Sequence, residues 1–356
     1  MAREEVRSWG DAAGVNLLHL VGVLEDLAEL PRKQIQLRGI ELEIGERGDR
    51  LDLFSREGCG HDKFYNVHMA TIRPAAVAGS WYPASSPALA AAIDRHLAHA
   101  TREVGGDLVA LIAPHAGLVY SGPVAARAYR LLRDRRFDLV VLVGPSHFVG
   151  FDGVAVVRAG GFETPFGVAP IDADAAEAIA AATPVVREYD AAHRREHSLE
   201  MQLPFVQRLA PNARIVPLVM GFQTADTARA LGDALAAALA GRRALLVAST
   251  DLSHYHDAAT AARLDAVVVD RVSRFDADGL QEALDRRPEH ACGGGPTVAV
   301  MRAAKALGVH DAVVLDRADS GDVSGDKSAV VGYLAAAFGT FDETLHPGGR
   351  GDQPSP

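Results

Sequence analysis

Two histidines of this chain follow the same kind of segment, an apolar run that stops at a proline among small residues. His115 stands in the stretch IAPHAGLVYSG, and His147 stands in the stretch LVGPSHFVG. A third stretch, VASTDLSHYH, brings Asp251 and His254 directly after another apolar run. An imidazole can bind a metal ion or exchange a proton near neutral pH, and a carboxylate can orient an imidazole. The three stretches predict one polar site if the fold brings them together.

Cys292 adds a thiol to this set. It precedes three glycines and a helix predicted to begin near Pro296, and a thiol beside a helix N-terminus or a metal ion loses its proton more readily. A single cysteine before glycines is more often a small buried residue, so the case depends on convergence. If the segments converge, the ligand set would be His115, His147 and Cys292. Three ligands leave positions on a metal ion open for water, oxygen or substrate. Compared with a site of two histidines and one carboxylate, which suits iron, the thiolate favours copper or zinc without excluding iron.

Two further motifs could serve such a site. His254 suits a general base because its ordinary pKa lies near neutrality, and Asp251 would fix its tautomer or act in the surroundings of the metal. In REHSLEMQLPF, His197 and Glu200 are three residues apart and share a face if the segment is helical. The alternative for this motif is an amphipathic helix with Glu200 on its solvated side.

Alternating apolar runs and helical segments must position these residues. Runs such as DLVALIA, FDLVVLVG, ARIVPLVM and ALLVAS have the length and the branched apolar content of buried strands. Helical segments lie between several of them, which predicts an α/β fold with a central, mostly parallel or mixed sheet and helices on both faces. Such open sheets bind ligands beyond the carboxyl ends of their strands, where His115, His147 and Asp251 stand. The repeated turn would therefore aim two histidines at one crevice.

The first 72 residues differ from the rest of the chain. VNLLHLVGVLEDLAEL has helical periodicity, and QIQLRGIELEIGERGDRLDLF alternates around a turn at Gly45–Gly48. We therefore predict a small appended segment of one helix and one hairpin over residues 1–72, with the stretch SREGCGHDKFYNVHM as a loop. The α/β domain then covers residues 73–341, and the polar tail of residues 342–356 is predicted to be disordered.

Composition and charge argue against several classes of protein. The formal net charge of -10, from Asp+Glu 46 against Lys+Arg 36, disfavours binding to nucleic acid or to anionic membranes. No apolar run approaches the roughly 20 residues of a transmembrane helix, and the charged N-terminus lacks the apolar core of a signal peptide. The two cysteines, Cys59 and Cys292, are too few for a disulfide framework. We therefore expect a cytoplasmic protein with reduced thiols.

Eight ordered motifs are distinctive: RPAAVAGSWYP, APHAGLVYSGPVAARAY, GPSHFVGFDGVAV, ETPFG, HSLEMQLPFVQ, ASTDLSHY, CGGGP and SGDVSGDKSAVVGYLAAAF. Together they make the chain from Arg73 to Phe338 resemble the Memo family, whose prokaryotic members are called AmmeMemoRadiSam system protein B. The resemblance implies a fold similar to that of class III extradiol ring-cleaving dioxygenases, which bind non-haem iron through two histidines and a glutamate. Memo proteins have a cysteine in place of that glutamate, and this chain has Cys292.

Matched motif by motif, the resemblance implies roles for individual residues. The residues that match the metal site of the family are His115, His147 and Cys292. His254 falls where the dioxygenases keep an acid–base histidine, with Asp251 as its neighbour, and His197 lies in another motif of the same cleft. The candidate catalytic residues are therefore His254, Asp251 and His197. The chain departs from the usual CGYGP motif at Gly294, which removes an aromatic wall at that position.

The resemblance also implies a function and partners. Memo proteins are associated with copper or iron and with redox chemistry, so we expect an iron or copper protein with oxygen-dependent or redox chemistry, zinc being a further option. Eukaryotic members are linked to phosphotyrosine peptides, and the prokaryotic name reflects partnership with an AMMECR-type protein and a radical SAM enzyme. One alternative is a non-catalytic module that binds a peptide, a partner or a metal cargo, because a thiolate facing oxygen is easily oxidised. Another is a zinc hydrolase with His254 as its base.

Overall fold

The computed structural model describes residues 72–101 and 104–342, together with the backbone of strands that precede them. The chain divides into two compact units, Met1–Thr71 and Ile72–Pro356. The described strands of the first unit form an antiparallel sheet in chain order. They are β1 (Gln34–Leu37), β2 (Ile40–Arg47), β3 (Arg50–Arg56) and β4 (Asp62–His68).

Two predictions for the first unit differ from the structure. Strand β2 continues through Gly45 to Arg47, which pairs with Arg50, so the chain reverses later than the predicted turn. The predicted loop is wrong in its second half, because DKFYNVH forms β4 and pairs with β3. Aromatic and β-branched residues favour a strand there, despite the preceding glycines. The predicted helix before Gln34 and, apart from Asp342, the predicted tail of residues 342–356 lie outside the described residues.

Strands and helices alternate along most of the second unit. Its strands are β5 (Ile72–Arg73), β6 (Gly106–Ala113), β7 (Leu139–Pro145), β8 (Val154–Val156), β9 (Gly161–Thr164), β10 (Gly167–Pro170), β11 (Val186–Glu188), β12 (Arg214–Met220), β13 (Ala244–Ser249), β14 (His254–His256), β15 (Asp311–Asp319) and β16 (Val330–Phe341). Its helices are α1 (Ser86–His99), α2 (Leu118–Tyr129), α3 (Ala173–Ala182), α4 (Asp190–His193), α5 (Leu203–Leu209), α6 (Ala225–Leu239), α7 (Ala258–Ser273), α8 (Ala277–Arg286), α9 (Gly294–Ala306) and α10 (Gly321–Ser324). Short 3-10 helices cover Arg130–Leu132, Glu200–Gln202 and Pro288–His290.

Most of the described strands of this unit build one large sheet. Its order is β11-β8-β12-β7-β13-β6-β16-β14, and β15 also pairs with β16. The central strands β12, β7, β13 and β6 are parallel. On either side of this centre, β8 runs antiparallel to β12, and β16 runs antiparallel to β6. A smaller sheet joins β10, β9 and β5. The prediction of a central, mostly parallel or mixed sheet is confirmed, and the sheet is mixed.

Helices cover the central strands on both faces. Every residue of β7 is buried, and successive side chains of a strand point to opposite faces, so neither face of this strand meets water. Helix α2 packs on β6 and β16, and helix α9 packs on β6, β7 and β13. No helix of the described residues is both long enough and apolar enough to cross a membrane.

The parallel centre of the sheet positions the candidate site. Strand β13 pairs in parallel with both β6 and β7, so the carboxyl ends of the three strands share one edge. They end at Ala113, Pro145 and Ser249. The next residues along the chain carry the chemistry, since His115, His147 and Asp251 each come two residues after a strand end. The predicted meeting of these strand ends at one edge is therefore present in the structure.

Candidate metal centre

This edge of the sheet brings together the side chains of His115, His147 and Cys292. One ligand atom from each residue lies within 4.8 Å of the other two. His115 Nε2 is 3.2 Å from Cys292 Sγ, and the rings of His115 and His147 meet edge to face with their centroids 5.2 Å apart. Cys292 arrives from the loop before α9, which begins at Gly294, two residues before the predicted start. Residues 177 positions apart in the chain thus become neighbours.

The hydrogen bonds of His115 determine which of its ring nitrogens is free. The side chain is buried, and Nδ1 lies 2.9 Å from Ser249 Oγ. Ser249 donates its one hydroxyl proton to the Ser198 carbonyl oxygen at 2.6 Å, and its Oγ accepts from Gln202 Nε2 at 2.7 Å. Ser249 can therefore only accept from His115, so Nδ1 carries the proton and Nε2 keeps its lone pair. Burial lowers the pKa of His115 well below its ordinary value, which keeps the ring neutral.

His147 is held in the same tautomer by Glu196. Its Nδ1 lies 2.9 Å from Glu196 Oε1, and its backbone N–H donates to Oε2 at 2.6 Å. Burial on its own would raise the pKa of Glu196, but the hydrogen bonds from His147 lower it to about 2. An ionised carboxylate only accepts, so Nδ1 bears the proton and Nε2 is left for a ligand. Such a carboxylate partner orients a metal-binding imidazole and raises its basicity.

Glu196 is a residue of the candidate site that the sequence motifs did not single out. Its carboxylate also accepts from the backbone N–H groups of His197 and Ser198, each at 2.8 Å. By accepting four N–H groups, the carboxylate connects the REHS turn to the turn that carries His147. The available signal was the adjacent Glu and His in REHSLEM. Nothing in their spacing could connect them to a histidine 49 positions away.

A second group of potential ligands, formed by His147, Glu196 and His197, lies beside the first. Their ligand atoms also lie within 4.8 Å of one another. The oxygens of Glu196 already accept four N–H groups, so a cation there would have to displace hydrogen bonds that hold the turn. The group of two histidines and a cysteine is therefore the better ligand set.

The thiol of Cys292 lies against the backbone of Asp251. The Asp251 N–H donates to Sγ at 3.3 Å, and the Cys292 N–H donates to the Asp251 carbonyl oxygen at 3.2 Å. Burial, and then the Asp251 carboxylate, raise the pKa of this thiol above its ordinary value. In the chain without a bound cation, burial and the Asp251 carboxylate therefore outweigh the predicted stabilisation of a thiolate by the helix N-terminus. A coordinated cation would supply the compensating positive charge.

Asp251 connects the two sides of the ligand set. Its Oδ1 accepts from the backbone N–H of His115 at 2.7 Å and of Ala116 at 3.3 Å, while its main chain contacts Cys292. Burial raises the pKa of Asp251 to about 7, against the effect of those N–H groups. Among the described side chains we find no hydrogen bond between Asp251 and His254. The predicted role in fixing the tautomer of His254 lacks support, and the alternative role around the metal ligands agrees with these contacts.

His254 opens strand β14 at the rim of the site. It is half-buried, and burial, followed by the proximity of His147, lowers its pKa below the ordinary value. The ring is therefore neutral at neutral pH and able to accept a proton. The next residue, Tyr255, has a φ of 62° and lies where the register between β14 and β16 shifts. Regular strand alternation does not apply at such a bulge, so the sequence could not show where His254 points.

His197 forms a wall of the site between two other rings. Its ring stacks on His147 at a centroid distance of 4.5 Å and lies 4.3 Å from the ring of Trp81. Burial lowers the pKa of His197 to about 4, so the ring is neutral at neutral pH. Its Nδ1 is buried without a hydrogen-bond partner among the described residues. The structure therefore places all six predicted site residues along the same edge of the sheet.

Glu200 belongs to a buried network beneath this wall. Its side chain has no exposure, which contradicts the alternative of a solvated face. Its partners are Arg73 Nη1 at 2.7 Å, Tyr82 Oη at 2.7 Å, and the N–H groups of Ala76 at 2.8 Å and Val77 at 3.0 Å. The segment from Arg73 to Tyr82 carries Trp81, so the network positions Trp81 beside His197.

The glycines after Cys292 allow a close approach to β13. A Cβ atom at Gly293 would lie 2.3 Å from the Ser249 carbonyl oxygen, and one at Gly294 would lie 2.6 Å from Leu284 Cδ1. Larger residues would push the loop away from the strand. The aromatic wall expected at position 294 in the family has no room here unless Leu284 moves.

Comparison with known proteins assigns the family. The family model described as Memo-like protein matches residues 73–337 of this chain. The chain belongs to the Memo family. A MEMO1 family protein of Methanothermobacter thermautotrophicus is 39% identical over 275 residues, which are 74% of this chain and 98% of that protein. Another, from Pyrobaculum aerophilum, is 37% identical over 277 residues, which are 75% of this chain and 99% of that protein.

A third MEMO1 family protein, from Methanosarcina mazei, is 38% identical over 270 residues, which are 74% of this chain and 98% of that protein. The Memo match therefore covers the large sheet, apart from the last four residues of β16, and every residue of the candidate metal centre. It begins at residue 73, and the strands β1 to β4 lie outside it.

Proposed function

We propose that this Memo protein binds one redox-active transition metal ion, iron or copper, through His115, His147 and Cys292. The observation that supports the proposal is the convergence of one ligand atom from each of the three residues. The Nδ1 partners of both histidines leave Nε2 of each ring unprotonated. Imidazole and thiolate suit iron, copper and zinc, whereas magnesium and calcium prefer oxygen ligands. The bound ion would supply one-electron redox chemistry and open positions for oxygen or a substrate.

The chain's own residues would prepare the site for that chemistry. Glu196 and Ser249 hold the two imidazoles in the tautomer that leaves Nε2 free. His254, kept neutral by burial, would take a proton from a substrate at the rim of the site. Trp81 and His197, whose ring centroids lie 4.3 Å apart, would form one side of the site. We expect this work to take place in the cytoplasm, where the Cys292 thiol stays reduced.

Elemental analysis of protein purified without oxygen tests the metal site. We expect about one iron or copper ion per wild-type chain, and loss of the ion in Cys292→Ser because a hydroxyl is a harder and weaker ligand than a thiolate. The matched control is Cys59→Ser, which removes the other cysteine of the sequence and should retain the metal. If neither the wild type nor the control holds metal, the proposal is wrong and the cleft is better regarded as a binding surface.

His254→Ala separates proton transfer from metal binding. We expect the variant to keep its metal and to lose roughly 10²–10⁴-fold in the rate of oxygen consumption with an added reductant or substrate, because a general base contributes about that much. His256→Ala, in the same strand, is the control and should retain the wild-type rate. Metal loss in His254→Ala would instead make His254 a ligand and would contradict the division of roles.

A non-catalytic binding module is the second candidate function, and the aromatic residues at the opening favour it. Phe148 is 50% exposed, contacts His197 at 5.9 Å between centroids, and has the Arg195 guanidinium 5.0 Å above its ring. Exposed aromatic and arginine side chains are typical of binding surfaces for peptides or partners. A chain that keeps its metal but consumes no oxygen would favour this function, or that of a metal carrier.

The partners implied by the family name belong to the same proposal. We propose an AMMECR-type protein and a radical SAM enzyme as partners of this chain, and co-elution of the purified proteins in gel filtration tests this. Zinc as the native ion would instead direct the search towards hydrolysis with His254 as base.

A further inference from the structure

Gln223 lies beside the cysteine loop and uses both ends of its side-chain amide on that loop. Its Nε2 donates to the Cys292 carbonyl oxygen at 2.6 Å, and its Oε1 accepts from the Gly295 N–H at 2.7 Å. Gln223 itself comes from the turn between β12 and α6, 69 positions before Cys292. One side chain thus connects a separate part of the fold to both sides of the Cys292–Gly295 turn.

The two backbone groups that Gln223 binds need a partner from outside. The Gly295 N–H is one of the first N–H groups of α9, which have no acceptor within the helix. The residue that caps this helix is Gly293, which has no side chain to accept from them. Gln223 therefore replaces the missing cap and fastens the start of the helix directly after Cys292.

Tight packing limits how far the loop can shift. A Cβ atom at Gly295 would lie 2.8 Å from Gln223 Cβ, so a larger residue would push the bridge apart. On the opposite side, the Gly293 N–H donates to Thr250 Oγ1 at 2.9 Å. The loop is therefore held between Gln223 and the end of β13, with Cys292 at its start.

We propose that Gln223 is a positioning residue for Cys292, because its amide holds the loop in the arrangement that points Sγ at His115. Its role in metal binding rests on the function proposed above, whereas its effect on the position of the Cys292 thiol does not. Gln223 touches neither the candidate ligand atoms nor the open side of the site through any hydrogen bond of the described residues. It acts only through the backbone of the loop.

The rate at which the Cys292 thiol is alkylated tests this role without metal. In a Cys59→Ser background, with metal removed by a chelator, we expect Gln223→Ala to raise the rate of alkylation by iodoacetamide about tenfold. That change corresponds to about 1.4 kcal/mol in the opening equilibrium of the loop. Gln223→Glu has nearly the same size and also accelerates labelling, because a carboxylate cannot donate to the Cys292 carbonyl oxygen. It replaces the alanine variant if that variant does not fold.

The matched control is Gln207→Ala. Gln207 also uses both ends of its amide, donating to the Gly167 carbonyl oxygen at 3.0 Å and accepting from Thr164 Oγ1 at 2.5 Å, away from the cysteine loop. We expect its labelling rate to equal that of the wild type. Wild-type labelling rates in both Gln223 variants would overturn the proposal, as would equal acceleration in Gln207→Ala.

Cobalt titration separates this proposal from the proposed function. Thiolate-to-cobalt charge-transfer absorption should appear in the wild type, disappear in Cys292→Ser, and require about tenfold more Co(II) in Gln223→Ala, a difference of about 1.4 kcal/mol. No such band in the wild type would contradict the metal site, and the labelling rates would still decide the role of Gln223. A wild-type band with the same affinity in Gln223→Ala would show that Gln223 does not position the ligand.

Discussion

Glu200→Ala is expected to lower the free energy of unfolding of the Memo domain by about 3–5 kcal/mol. The carboxylate of Glu200 is fully buried and pairs with Arg73 Nη1 at 2.7 Å, and the Arg73 side chain is itself buried. Truncation leaves the guanidinium charge without its counterion and removes the acceptor of Tyr82 and of two backbone N–H groups. Breaking one side of a buried pair costs more than the pair contributes, because the remaining charge stays away from water.

Urea unfolding followed by circular dichroism measures this loss. The control is Glu177→Ala, because Glu177 is 60% exposed and pairs with Arg158 at the surface, where such pairs contribute about 0–1 kcal/mol. A Glu200→Ala protein within about 1 kcal/mol of the wild type would contradict the prediction. It would mean that the bonds from Arg73 to the carbonyl oxygens of His193 and Glu196 are sufficient.

Glu196→Gln is expected to weaken metal binding by about 10–100-fold. The amide keeps one oxygen for the N–H groups that converge on Oε1, but its NH2 group would face the backbone N–H of His147, which now donates to Oε2 at 2.6 Å. The carboxylate charge beside Nδ1 of His147, 2.9 Å away, is also lost. A ring without its charged partner and less well oriented is a poorer ligand.

Competition with a chelator of known affinity measures the change in metal binding. Glu177→Gln removes a carboxylate charge at the surface and should bind metal as the wild type does. Unchanged affinity in Glu196→Gln would contradict the assignment of His147 as a ligand oriented by Glu196. Loss of folding would be visible in the same urea experiment, so weak binding and unfolding are told apart.

The sheet and three of its strand ends could be predicted because their signals are local. Buried strands are short apolar runs, and DLVALIA, FDLVVLVG and ALLVAS correspond to β6, β7 and β13. Each run stops where the chain leaves the core, so the polar residues that follow could be placed at one edge. Short edge elements such as β14 gave no such signal, because pairing with β16 rather than their own periodicity defines them.

The side chains that hold the ligands could not be predicted in the same way. Glu196, Ser249 and Gln223 act on residues 49, 134 and 69 positions away, and no periodic pattern connects them. The tautomers of His115 and His147 depend on these partners, since an isolated imidazole has no preference that would fix Nε2 as the free nitrogen. Asp251 likewise looked like a partner of His254 because only three positions separate them, yet its carboxylate accepts from His115 and Ala116.

For this protein, apolar periodicity and the residue types at strand ends were enough to predict the layered α/β fold and the meeting of His115, His147 and Asp251 at one edge of its sheet. These features are local, since a buried strand must be apolar and the chain must turn where it ends. Cys292 follows no strand, and the resemblance to the Memo family is what joined it to the two histidines. The folded chain alone decided which nitrogen each histidine leaves free, why the thiol keeps its proton without a cation, and how Gln223 and Glu200 fasten the loops around them. Hydrogen bonds and burial depend on distances between segments far apart in the chain, and only packing brings those segments together.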